Sequence, residues 1–105
     1  GRPKMNITFK KVDKENWEGC ADLSVSEDQK FFVAPNWYSI LQSKFEENIY
    51  TLCIYDNETM VGFLMYDIDP DTNRWELSRL MIDKRYQKKR IWKNSYHEIA
   101  GRFKD

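Results

Sequence analysis

Glycine, histidine and cysteine are all scarce in this chain. It has four glycines in 105 residues, one histidine (His97) and two cysteines. Two thiols far apart in sequence and a lone imidazole make neither a zinc set nor a disulfide framework, so no metal site is expected. Cys20 lies near Trp17 and Leu23, and Cys53 lies inside "YTLCIY"; both read as buried thiols of a reducing cytoplasm. No run approaches the roughly 20 apolar residues of a membrane span. No signal-peptide pattern opens the chain, so a cytoplasmic protein is expected. Charge of one sign is also lacking: 17 Lys and Arg balance 17 Asp and Glu, so net charge argues for no polyanionic partner.

Aromatic residues are plentiful. They make up 15% of the chain, which excludes a disordered segment, since disordered chains are poor in them. The length suits one small domain that hides somewhat over ~60% of its unfolded surface. Residues 1–4, "GRPK" before Met5, read as a cloning remnant, and residues 5–105 as the domain.

The hydrophobic patterning predicts an α+β protein of the three-layer α/β type. "NITFKKV" suggests a first strand through Ile7, Phe9 and Val12. Asp13 can cap a helix with Trp17, Cys20, Ala21 and Leu23 on one side. Ser26 and Gln29 have capping-box spacing for a second, short turn. In "APNWYSILQSKFEEN", Trp37, Ile40, Leu41 and Phe45 fall at helical spacing, so two or three helices are expected before the pattern changes. Ile49–Tyr55, Thr59–Ile68 and Arg74–Asp83 then read as three strands joined by the turns "DNE" and "DPDTN", an antiparallel meander. A final helix from about Ile91 to Phe103 has the weakest pattern, with Gly101 and mixed polarity near its end.

Between the last strand and the last helix stands "RYQKKRIWK", Arg85 to Lys93. Six of the ten residues from Lys84 to Lys93 are basic, and the stretch holds no glycine. A strand-to-helix junction is a natural phosphate site, because free N–H groups at a helix N-terminus favour anions.

A strand, helices and a three-strand meander running into "LMIDKRYQ" resemble the GNAT superfamily of acetyl-CoA-dependent N-acetyltransferases. "LSVSEDQKFFVAPNWYSI", "MVGFLMY" and "WELSRLMIDKRYQ" are similar to the bacterial spermine/spermidine acetyltransferases. The resemblance covers Met5 to about Lys89. It implies an incomplete GNAT fold, lacking a fifth strand and later elements, and transfer of an acetyl group from acetyl-CoA to a polyamine or similar small primary amine. In that family the fourth strand leads into a Gln/Arg-x-x-Gly-x-Gly/Ala loop whose small residues admit the coenzyme A pyrophosphate to backbone N–H groups. Gln87 begins that motif here, but Arg90 and Trp92 occupy the glycine positions. Arg90 is disfavoured in a left-handed conformation, and Trp92 would fill phosphate space. An inactive or impaired chain is therefore expected.

One inserted base accounts for the change. If "QKKGYGK" were encoded CAA AAA AAA GGA TAT GGA AAA, an extra adenine would yield "QKKRIWK". Trp92 has a single codon, which before Lys93 contains GGA, glycine, in the other frame. The chain thus reads as frameshifted after Lys89 and truncated at its C-terminus.

The resemblance also implies site residues. An ammonium with pKa near ~10.4 must lose a proton before it attacks a thioester, so a carboxylate is expected. Glu76, eleven residues before Gln87 on the fourth strand, stands where many superfamily members carry that base. It is otherwise a solvated strand residue paired with Arg74 or Arg79. Backbone groups of Leu80, Met81 and Ile82 would hold the pantetheine arm, while their side chains serve the core. Gln87, Lys88, Lys89, Arg90 and Trp92 would surround the pyrophosphate. The tyrosine that protonates the departing thiolate would lie beyond Asp105, and Tyr96 is not its equivalent. Glu46, Glu47, Asp67, Asp69 and Asp71 are candidates for a cationic-substrate path, although "DPDTN" also reads as turn chemistry. His97 reads as a surface residue. Two other function classes stand beside the enzyme. One is a nucleic-acid module using Lys84, Arg85, Lys88, Lys89, Arg90 and Lys93, with Tyr86 and Trp92 stacking; the cluster does not favour it. The other is a non-catalytic homo-oligomeric scaffold pairing through an exposed edge of the fourth strand.

Overall fold

The computed structural model describes residues 4–26, 34–87 and 89–104, residue 89 by its backbone alone. The Ser26–Gln29 capping box and Lys88 fall outside that description in whole or in part. Strand β1 (Ile7–Lys11), helices α1 (Trp17–Asp22) and α2 (Asn36–Phe45), strands β2 (Ile49–Asp56), β3 (Thr59–Ile68) and β4 (Trp75–Ile82), and helix α3 (Lys89–Arg102) follow in chain order. The four strands form one sheet in the order β1-β2-β3-β4, every neighbour antiparallel.

Left-handed residues close the turns. Asn57, φ 55°, turns β2 into β3, and Asn73, φ 61°, turns β3 into β4. Asparagine tolerates this region better than other non-glycine residues. In the second turn the Asp69 carboxylate accepts N–H bonds from Asp71 at 2.8 Å and Thr72 at 3.3 Å. Asp69 is thus turn chemistry, as "DPDTN" suggested.

Each face of the sheet carries its own core. Ile7, Leu52, Ile54, Val61, Leu64 and Ile82 meet Ile91 and Ile99 of α3 on one side. Cys53, Tyr55, Phe63, Met65 and Met81 meet Cys20, Leu23 and Val25 on the other. Val61 and Phe63 lie two apart yet serve opposite faces, because the β2–β3 register shifts between Ile54 and Tyr55 and leaves Val61 as an extra residue. Beside that bulge Gly62 pairs with Ile82, and a Cβ there would lie 2.4 Å from the Met81 carbonyl oxygen. The two strands approach so closely only because Gly62 has no side chain.

Two helical faces differ from the expected ones. Trp37, Tyr38, Leu41 and Phe45 of α2 are exposed, Phe45 at 84%, while Asn36 and Ser39 are buried. The helix turns its small polar side to the sheet because polar partners wait there, as described below. On α1, Cys20 is buried but Trp17 is half exposed, since a six-residue helix offers little more than one turn to the sheet. Asp13 caps the turn before α1, its carboxylate accepting from the N–H groups of Glu15 and Asn16. Helix α3, the weakest of the expected elements, is fourteen residues long. Its buried stripe is Ile91, Ser95 and Ile99, with the Ser95 hydroxyl donating back to the Ile91 carbonyl at 2.6 Å. Phe103, just past its end, packs against Tyr66 at 5.0 Å and Trp75 at 5.1 Å.

Candidate active site

Strand β4 organises the site. One of its edges pairs with β3; among the described residues no strand pairs with the other. Leu80, Met81 and Ile82 lie opposite Leu64, Phe63 and Gly62. The Met81 carbonyl faces Gly62, and the Asp83 N–H donates to Val61 at 2.8 Å. Successive residues of a strand alternate the edge their amides face, so the main-chain groups of Leu80 and Ile82 face the open edge and those of Met81 face β3. Gln87 folds back to donate its amide to the Ile82 carbonyl at 3.1 Å, which closes the strand end against the coming helix.

A second bulge interrupts β4. Met65 pairs with Arg79 but Tyr66 pairs with Leu77, leaving Ser78 as the extra residue. Next to it, Arg79 reaches from the sheet to α2. Its Nη1 donates to the Ser39 hydroxyl and to Gln42 Oε1 at 3.2 Å, and the guanidinium lies over the Tyr38 ring, 5.9 Å from its centroid. This is the partner of the polar underside of α2. Sequence reasoning assigned Arg79 only to Glu76, and helical periodicity alone cannot reveal an arginine on another element.

Toward the other end of β4, Glu76 stands directly opposite Asp67 of β3. Paired residues share a face, so two carboxylates lie side by side. Asp67 accepts a hydrogen bond from the Ser78 hydroxyl at 3.3 Å. Among the described residues no ion pair joins Glu76 to Arg74 or Arg79. Asp67 is also the partner of Ile49 on β2, which places the exposed Glu46 and Glu47 just ahead of the same row. Asp71 stays in its exposed turn.

At the opposite end Asp83, only 2% exposed, ties three segments together. Its Oδ1 accepts from the Arg85 N–H at 2.9 Å and from Arg85 Nε at 2.7 Å, while Oδ2 accepts from the Ser24 N–H at 3.0 Å. Burial pushes this carboxyl up, but the Arg85 side-chain bond and the Arg85 and Ser24 backbone bonds outweigh it and hold the group below the ordinary aspartate value. Asp83 thereby fixes the 3-10 turn Lys84–Tyr86 and holds the segment after α1 over the end of β4. Sequence analysis missed it; the signal available was an acidic residue between a strand end and a basic run. A cleft of about 250 Å³ opens alongside, lined by Leu23, Ser24, Val25, Ala34, Pro35, Asn36 and Met81.

The junction itself is helical. Arg90 lies in the first turn of α3 with Ile91 turned to the core, Trp92 exposed and stacked on Tyr96 at 5.7 Å with rings 2° from parallel. Among the described residues only Asn48, Asn57 and Asn73 have positive φ. Arg90 accordingly adopts helical backbone in α3 and no left-handed conformation. Lys84 and Lys93 are exposed, but Arg85 is engaged by Asp83 and lies 5.2 Å from the Tyr86 ring, which dilutes the basic cluster as a nucleic-acid surface. His97 is exposed, edge-on to Tyr96.

The open edge of β4 carries the main-chain groups of Leu80 and Ile82, and the first turn of α3 carries the Arg90 cation. The family model described as "Acetyltransferase (GNAT) family" matches residues 13–104. No curated relative matches the chain by sequence. Among solved structures, the chain is similar to PaiA N-acetyltransferase from Thermoplasma acidophilum, crystallised in complex with coenzyme A. The two share 21% identity at a TM-score of 0.61, over 94% of this chain and 72% of that one. At that identity the likeness concerns the fold. No helix among the described residues is long and apolar enough to cross a membrane.

Proposed function

Because this chain belongs to the GNAT acetyltransferase family, we propose that it is built for transfer of an acetyl group from acetyl-CoA to a polyamine or similar small primary amine. The observation that carries the amine reading is the Asp67–Glu76 pair. Like charges directly opposite on a sheet repel each other unless a cation lies against them, and an ammonium is such a cation. Glu76 would take a proton from the ammonium, directly or through water. Asp67, oriented by Ser78, would hold the charge of the amine, and Glu46 and Glu47 would extend the acidic path for a polycation.

The coenzyme supplies the activated acetyl thioester. Main-chain groups of Leu80 and Ile82 would hold its pantetheine arm. Gln87, Lys88, Lys89 and Arg90 would surround its pyrophosphate at the start of α3. Side-chain bulk at Arg90 and Trp92, where the family motif has small residues, keeps phosphates farther from the helix N–H groups, so this chain binds the coenzyme weakly and turns over poorly. A single inserted base would explain the substitution, and sequencing the source gene across residues 87–93 would expose the adenine run or its absence.

The test is calorimetric titration with acetyl-CoA of the chain and of Arg90→Gly/Trp92→Gly. Binding at least tenfold tighter in the double variant is expected, and spermidine acetylation in that background should fall about a hundredfold or more with Glu76→Gln. Failure of both proteins to bind acetyl-CoA would overturn the reading. A second role rests on the open β4 edge, which offers unpaired main-chain groups to another copy of the chain. A monomer by light scattering at high concentration would dismiss it.

A further inference from the structure

A row of aromatic rings crosses the sheet beside the end of α3. Tyr50 of β2 stacks on Tyr66 of β3 at 5.2 Å, Tyr66 meets Phe103 at 5.0 Å, and Phe103 stacks on Trp75 of β4 at 5.1 Å. The row thereby fixes the end of α3 against the start of β4. A polar cleft of about 480 Å³ opens there, lined by Asn73, Arg74, Trp75, Arg102, Phe103 and Lys104. Cavities that hold small molecules run from roughly 300 to 1,000 Å³.

The walls of this cleft are cationic and aromatic, with no carboxylate among them. Arg74 arrives from the turn between β3 and β4, Arg102 and Lys104 from the end of α3. All three are exposed, and among the described residues none has an ion-pair partner. The Asp69 carboxylate of that turn instead accepts from the Asp71 and Thr72 N–H groups. Arg102 lies over the Phe9 ring, 4.9 Å from its centroid; a guanidinium so placed keeps its N–H donors for an anion. A helix C-terminus attracts cations, but with only about half an elementary charge. That is too little to balance three cations that converge from two elements.

We propose that this cleft binds a nucleoside polyphosphate, its base against the Trp75–Phe103 wall and its phosphates among Arg74, Arg102 and Lys104. Aromatic faces stack on bases of any kind, and guanidinium and ammonium groups are the side chains that hold phosphate. Asp69 and Asp71, exposed in the adjoining turn, repel a longer polyanion, which favours a mononucleotide over a nucleic-acid strand. The cleft stands at the far end of the fourteen-residue α3 from Arg90, on the order of 20 Å away. It is a separate site, and it does not rest on the acetyl-transfer reading.

The experiment is titration of the nitrogen-15-labelled full chain with ATP in magnesium-free buffer, followed through the tryptophan indole N–H signals assigned by triple-resonance spectra. The Trp75 signal should shift saturably while that of Trp92, at the start of α3, stays in place. Arg74→Gln/Lys104→Gln should weaken ATP binding about tenfold or more. Lys84→Gln/Lys93→Gln, which removes the same charge from exposed positions elsewhere, should bind as the parent does. The variants' own spectra report whether they fold, and the parent titration locates the ligand without them. Tripolyphosphate, which has no base to stack, should bind at least about fivefold more weakly than ATP. No saturable shift at Trp75, a shift at Trp92 alone, equal weakening in both double variants, or tripolyphosphate as tight as ATP would overturn the proposal.

Discussion

The Asp83 carboxylate grips Arg85 through a single oxygen, which accepts the Arg85 N–H at 2.9 Å and its Nε at 2.7 Å. Its other oxygen holds Ser24 at 3.0 Å, so one buried group anchors both the end of β4 and the segment after α1. Replacing it by alanine leaves backbone donors without partners, at a cost of about 1–3 kcal/mol. Equilibrium urea unfolding at neutral pH measures that loss.

The same carboxyl sets an acid limit. Its value in the folded chain is depressed, so the folded state binds the proton less readily than the unfolded one. The stabilisation is fully present above the unfolded aspartate value, near ~3.9, and is lost as pH falls through the lower folded value. Asp83→Asn should flatten the fall of stability with pH on the acid side. Parallel acid profiles for parent and variant would assign the slope to other groups.

Gly62→Ala tests the closeness of β3 and β4. The added methyl would meet the Met81 carbonyl oxygen at 2.4 Å and Ile82 Cδ1 at 2.8 Å. Backbone does not yield as a flexible side chain does, and overpacking of this sort costs about 1–3 kcal/mol. The urea midpoint should drop accordingly, whereas Gly101→Ala, with nothing within 4 Å, should be neutral or slightly stabilising in its helix.

Arg79→Met removes the cross-link to α2. The fully buried Ser39 hydroxyl and the Gln42 amide lose their partner, a loss of about 1–3 kcal/mol. Hydrogen exchange should then speed up in α2 more than in α3, which Arg79 does not touch. Equal acceleration in both helices would deny it a local anchoring role.

Helix α2 allows a sharper comparison. Helical spacing groups Leu41 with Trp37, Ile40 and Phe45 on one apolar face, yet the structure exposes Leu41 and buries Ser39. Leu41→Ser should change stability by no more than about 0.5 kcal/mol, while Ser39→Leu should cost about 1–3 kcal/mol through overpacking. Thermal unfolding of the two variants distinguishes the arrangements.

The meander was legible because its signals are local. β-branched and aromatic runs end at asparagine- and aspartate-rich turns, and the strand bounds agree with expectation to within a residue. Glu76 and the Leu80–Ile82 stretch could likewise be placed on β4 in advance. Helix faces were less legible. Trp37, Leu41 and Phe45 have helical spacing, but spacing does not say which side meets the sheet. In α3 a serine stands at the centre of the buried stripe, which blunts the very pattern used to find such helices.

By itself the sequence determined the strands, their turns, the order of elements and the absence of glycine at the β4–α3 junction, since each depends on residues adjacent along the chain. Tertiary structure alone decided the Asp67–Glu76 pairing, the Arg79 bridge, the Asp83 anchor and the burial of Cys20 and Cys53 in one core cluster. Each of these joins side chains from separate elements, and their contact depends on strand register, the two bulges and the way helices lie on the sheet. "RYQKKRIWK" depends on both: its residues were plain from the start, but only the fold showed Arg90 and Trp92 accommodated without left-handed strain in the first turn of a helix.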